Sequence, residues 1–169
     1  MDIGLSIQMI WSLAAQEAAA GEAAELEPGH FLCAALKLAE MPASVFHDVV
    51  SDKDQVASLE EDQRGLLKTL ESFGIRVPEV STPLRRGLRG LLWKKDQGGP
   101  EKRGSVIHRS PVTKALFARA ETAARECGDK AVGAVCLVQT LLSDPDEVVA
   151  GMLARIGIHI DVRPVVGKV

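Results

Sequence analysis

LSIQMIWSLAAQEAAAGEAAELEPGHFLCAAL, residues 5–36, and PVTKALFARAETAARECGDKAVGAVCLVQTLL, residues 111–142, decide the fold of this 169-residue chain. In the first stretch Ser6 opens an apolar pattern of Ile7, Ile10, Trp11, Ala14 and Ala18, the three-and-four spacing that lines one side of a helix. That helix is predicted to stop near Gly21. Glu27-Pro28 then offers proline at a first helical position, where its missing N–H costs nothing, with Phe31, Leu32, Ala35, Leu36 and Ala39 on one face behind it. A displacement of 106 residues pairs Ile10 with Leu116, Trp11 with Phe117, Ala14 with Ala120, Ala18 with Ala124, Leu26 with Val132, Phe31 with Leu137 and Leu36 with Leu142. Every pair is apolar on both sides, so the second stretch is predicted to repeat the helices of the first.

Outward from these stretches the repeat continues with a changed offset. Leu70-Glu-Ser-Phe-Gly-Ile75 matches Leu153-Ala-Arg-Ile-Gly-Ile158 at a displacement of 83, which leaves a 23-residue insertion in the first half, about residues 41–63. Asp52 is expected to cap a helix through Val56, Leu59, Leu66, Leu67, Leu70 and Phe73 that ends at Gly74, and Asp144-Pro145 starts one ending at Gly157. Thr82-Pro83 looks like another cap-then-proline start ahead of Leu84, Leu88, Leu91 and Leu92. Gly98, Gly99, Pro100 and Gly104 leave little for a helix, so residues 96–109 are predicted to be a linker between repeat one, about 3–95, and repeat two, about 110–165. Two units that cannot each bury their apolar faces can pack on one another.

Composition points the same way. Alanine occurs 21 times, aromatic residues six times and Tyr never, which favours Ala- and Leu-rich helices and an all-α fold. A hydrophobic fraction of 46% with 25% charged residues and a net charge of -3 describes a globular chain, not a disordered or nucleic-acid-coating one. Gln8, Ser12, Gln16 and Glu17 interrupt the apolar start, so neither a membrane span nor a secretory leader is expected. Cys33, Cys127 and Cys136 form no CxxC and are odd in number, which suggests reduced thiols and a cytoplasmic location.

Several segments together carry a family resemblance. Ala14-Ala-Gln-Glu-Ala18 with Leu26-Glu-Pro-Gly-His30-Phe-Leu, Ala120-Glu-Thr-Ala123 with Val132-Gly-Ala-Val-Cys-Leu137, and the helix ends Phe73-Gly-Ile and Ile156-Gly-Ile resemble the double-repeat N-terminal domain of Clp-type AAA+ protein unfoldases. The resemblance covers most of the chain except the insertion. It implies a compact bundle of about eight helices in two pseudo-symmetric four-helix repeats. It further implies a non-enzymatic domain that binds client or adaptor proteins for a Clp-type AAA+ ATPase, fused or in trans. In the branch of the family that recognises phosphorylated arginine, an acidic residue precedes the motif histidine of each repeat. Here Gly29 and Val135 stand at those positions and Cys136 replaces the second histidine, so that chemistry is not carried over.

The chemistry-bearing residues are sparse. No glycine-rich phosphate loop is present: Gly167-Lys168 is followed by Val169, with Val162 where the first glycine should be, so ATP and magnesium would be needed only by an attached or partner motor. His30, His47, His108 and His159 are scattered without an HExxH or a zinc-spaced cysteine pair, and no metal site is expected. His30, in the first turn of its helix, is expected to orient the preceding loop. Glu17 and Glu121 are expected on solvated helix faces. The candidate partner-binding residues are Ile7, Ile10, Trp11, Gly29 and His30 in the first repeat and Val135 in the second, around a groove for an apolar helix or extended segment. Residues 83–110 hold eight basic residues against two acidic, a local net charge of +6, so the remainder carries -9. Arg85, Arg86, Arg89, Lys94 and Lys95, with Trp93 for stacking, would make the alternative, a nucleic-acid interface; a solvated amphipathic helix is the plainer expectation.

Overall fold

The computed structural model describes residues 2–92 and 107–160, and the predicted all-α bundle is what it contains. In chain order the elements are β1 (Asp2–Ile3), α1 (Leu5–Ala20), β2 (Glu25–Leu26), α2 (Pro28–Glu40), α3 (Ala43–Val49), α4 (Lys53–Ser72), α5 (Val77–Leu92), β3 (His108–Arg109), α6 (Pro111–Glu126), β4 (Ala131–Val132), α7 (Ala134–Ser143) and α8 (Glu147–Arg155). Helices α1 and α6 begin and end 106 positions apart, as do β1 and β3, and β2 and β4. The ends of α4 and α8 keep the offset of 83, and Gly74 and Gly157 after them share a φ of +81°. This left-handed conformation closes each helix, with Ile75 N–H donating to the Leu70 carbonyl and Ile158 N–H to that of Leu153, both at 2.9 Å.

The repeats are joined by exchanged strand contacts. β1 pairs in parallel with β4, and β2 in parallel with β3, so each short strand meets the non-equivalent strand of the other half. Gly4 N–H donates to the Val132 carbonyl and Ser110 N–H to the Leu26 carbonyl, both at 3.0 Å. Residues 4 and 110, like 26 and 132, are 106 apart, so one contact is the pseudo-two-fold image of the other. One hydrophobic core runs through both halves, with Ile7, Ile10, Leu32, Leu36 and Leu70 on one side and Leu116, Leu137, Leu141 and Leu153 on the other.

Local chemistry explains most boundaries. Asp52 caps α4 by accepting from Asp54 N–H at 2.8 Å and Gln55 N–H at 3.3 Å, and Ser110 and Asp146 cap α6 and α8 in the same way. Glu27 and Pro28 open α2 as the sequence suggests. The insertion folds as α3 and the first turns of α4 and is tied to the core: Phe46 is fully buried, and Gln63 Nε2 donates to the Leu38 and Met41 carbonyls at 2.8 and 2.7 Å, closing the C-terminus of α2.

Three expectations are corrected. α5 does not start at Thr82-Pro83; it starts at Val77 and runs through Pro83. Pro83 and Glu79, whose carbonyl loses its helical donor, are both exposed, so water can serve that carbonyl while Val77, Leu84, Leu88 and Leu92 bury one continuous stripe. Residues 96–106 of the predicted linker lie outside the described residues, and at its end His108 and Arg109 form β3, whose backbone completes a strand pair. Among the described residues repeat two contributes three helices, not four, and α5 has no described counterpart.

Candidate functional site

The two halves meet through aromatic side chains. Trp11 on α1 and Phe117 on α6 have ring centroids 5.2 Å apart, and Phe31 on α2 lies edge-on to both, at 5.8 and 5.2 Å. The Arg109 guanidinium, delivered by β3, covers this cluster at 4.9 Å from the Trp11 ring and 5.1 Å from that of Phe117. Beside it, Ser110 Oγ donates to Glu27 Oε2 at 2.8 Å and Thr113 Oγ1 donates to the Leu26 carbonyl at 2.7 Å, so the start of α6 is fastened to the start of α2.

The predicted partner-binding residues fall largely inside this seam. Ile7 and Ile10 are fully buried and Gly29 and His30 nearly so, with the Leu92 side chain closed over Gly29. Core residues offer no surface to a partner, so of the predicted groove only Trp11 and Val135 retain solvent contact, both half-buried. Val135 packs against α4 where Gly65 leaves room for it; a Cβ there would meet Val135 Cγ2 at 2.9 Å. His30 does orient its loop: Nδ1 accepts from Glu27 N–H at 2.9 Å, which makes Nε2 the protonated nitrogen, and Nε2 is buried without a partner. Burial pushes its pKa down, and the nearby Glu17 carboxylate offsets only part of that.

Glu17 is the main charged residue whose position sequence reasoning missed. It is 3% exposed, not on a solvated face, and its carboxylate takes a two-pronged contact from Arg89, with Nε and Nη2 each at 2.7 Å, plus an ion pair from Lys37. Burial by itself would raise the Glu17 pKa; hydrogen bonds from Arg89 and Lys37 outweigh it and hold the carboxyl at about 2. The signal was present, since Glu17 falls three residues after Ala14 on the stripe begun by Ile7 and Ile10. Glu121 lies on a more open surface, 39% exposed, and pairs with Arg125 one turn on at 3.4 Å.

Arg85 pairs with Glu40 at 3.2 Å, and Arg86 is exposed; Lys94, Lys95 and Trp93 lie outside the described residues. Burial raises the Cys33 thiol to about 12, with the Glu17 charge adding to the effect, which leaves it an unreactive core atom. Among the described residues no three His, Cys, Asp or Glu side chains converge to hold a metal, and no helix is long and apolar enough to cross a membrane. A small cleft of about 150 Å³ lies between α6 and the turn from α7 to α8, lined by Pro28, Val112, Leu116, Leu141 and Pro145 and edged by the Arg119–Asp144 pair. Comparison with protein-family models finds no match, and a search of curated proteins finds none either.

Proposed function

We propose that this chain is a non-enzymatic protein-recognition domain of the Clp N-terminal kind, which binds client or adaptor proteins in the cytoplasm for a Clp-type AAA+ ATPase, fused or in trans. The observation that carries the reading is the duplication that the resemblance implies: two helical units keep one offset through α1, β2 and α6, β4, and they also exchange strands about a pseudo-two-fold. Such a frame is stiff because the aromatic seam and the polar fastening of α6 to α2 leave the halves little freedom to slide, and a stiff frame lowers the ordering cost of binding. The partner surface is drawn from what keeps solvent contact at the seam and around it: the half-buried Trp11 and Val135, and Val112, 48% exposed at the cleft.

For the alternative, nucleic-acid binding through the basic segment, Arg89 pairs with Glu17 and Arg85 with Glu40, and Lys94, Lys95 and Trp93 lie outside the described residues. Affinity capture from the source cytosol at low and high salt separates the two. Discrete proteins retained at high salt, among them AAA+ ring subunits, are the expected result. Nucleic acid released as salt rises would overturn the reading, because counterion release makes phosphate-backbone binding steeply salt-dependent.

A further inference from the structure

On the outer side of α5, Thr82, Arg85, Arg86, Arg89 and Gly90 line an open depression of about 360 Å³. Among the described residues no carboxylate lines it. Beneath the arginines, Glu17 holds Arg89 by two hydrogen bonds and Glu40 holds Arg85, so two of the three guanidiniums are fixed in place before any ligand arrives. Arg85 Nε is buried and makes no hydrogen bond among the described residues. Among the described residues Arg86 has no carboxylate within 4.0 Å and nothing lies within 4 Å of where a Cβ on Gly90 would stand. Among the described residues Lys37 and Arg89 pair with Glu17, Arg85 pairs with Glu40 and Arg86 pairs with neither, so four cations and two carboxylates leave two positive charges without a described counter-ion in the cluster.

We propose that Thr82, Arg85, Arg86 and Arg89 form a binding site for a phosphate monoester dianion, a role beyond the protein-recognition reading and independent of it. The excess of two positive charges matches a dianion, and guanidinium forks donate in parallel to phosphate oxygens in a way an ammonium does not. Glu17 and Glu40 act as positioning residues: each spends one face of a guanidinium on the fold and leaves the remaining N–H donors for the ligand. The site lies toward the C-terminal half of α5, where the helix dipole opposes an anion, so the side chains carry the affinity. The phosphate can belong to a free small molecule or to a phosphorylated side chain of a peptide.

The test is titration of the full chain with inorganic phosphate, with a phosphoserine peptide, and with the same peptide unphosphorylated, followed by backbone and arginine Nε resonances at constant ionic strength. Saturable shifts at Thr82, Arg86 and Arg89 are expected, weakening at least fivefold in Arg86→Ala and unchanged in the remote control Lys114→Ala. Arg86 is exposed and makes no described ion pair, so its variant should keep the wild-type melting temperature. Affinity should fall as pH drops below about 6, where a phosphate monoester loses its second charge. Tighter binding of the phosphopeptide than of phosphate would assign a phosphorylated side chain, and equal binding a free phosphate-bearing molecule. Equal shifts with chloride, no effect of Arg86→Ala, or preference for a single-stranded oligonucleotide would each overturn the proposal.

Discussion

Trp11 and Phe117 stand at equivalent positions of the two repeats, 106 residues apart, and their rings meet each other at 5.2 Å. Residues close to a two-fold axis contact their own images, so this pair lies where the pseudo-symmetry axis crosses the seam. Arg109 covers both rings and belongs to β3, whose pairing with β2 is one of the two exchanged strand contacts. Truncation of Trp11 to Ala should therefore cost about 3 kcal/mol, at the lower end for a buried Trp because one edge is wet. Arg109→Ala should cost about 1 kcal/mol, and the double variant less than the sum, which urea unfolding of the four proteins would measure. Strict additivity would mean that Arg109 and Trp11 do not interact.

Removing the Glu17 carboxylate leaves Arg89 and Lys37 without their shared partner. Glu17→Gln keeps the shape and loses the charge, and is expected to destabilise the domain by about 3 kcal/mol, the usual range for breaking a buried pair from one side. Arg89→Met should restore part of that loss in the double variant, because an uncompensated cation is then removed. A Glu17→Gln protein that melts with the wild type would place the carboxylate in water.

Acidification should lower the stability over two pH ranges. His30 resists protonation in the fold, so the unfolded chain takes up that proton first; its contribution is full above about pH 6.5 and declines as pH falls below that value. Glu17 resists protonation too, with its pKa lowered from 4.5 to about 2, and its contribution of up to about 3 kcal/mol fades as pH falls between those values. Thermal melts from pH 7.5 to 3 should show both declines. His30→Gln should flatten the upper one and Glu17→Gln the lower.

Glu22 has a φ of +53°, while Gly74, Gly128 and Gly157 each take +81° at the same point after their helices. Glu22 is also the repeat-one counterpart of Gly128, 106 residues earlier, and a Cβ in this conformation is strained by about 1 to 2 kcal/mol. Glu22 is exposed, so nothing but the backbone is at stake. Glu22→Gly is expected to raise stability by about 0.5 to 1 kcal/mol after the entropy cost of glycine in the unfolded chain. A lower melting temperature for this variant would count against the repeat alignment in the α1 end.

The sequence alone determined the duplication, the offsets of 106 and 83, the helix starts at Glu27-Pro28 and Asp52 and the stops at Gly74 and Gly157. These are local matters, set by caps, glycine conformations and the period of apolar residues within one helix, and each is complete within a few neighbouring positions. Tertiary structure decided everything that depends on which faces meet. It turned Ile7 and Ile10 from candidate groove to core, because the second repeat covers the stripe they share. It gave Glu17 its partners, because Lys37 lies on α2 and Arg89 on α5, 20 and 72 residues away, and no local pattern reports a partner at that distance. It carried α5 through Pro83, because burial of one apolar stripe outweighs a single hydrogen bond lost on an exposed face of the helix.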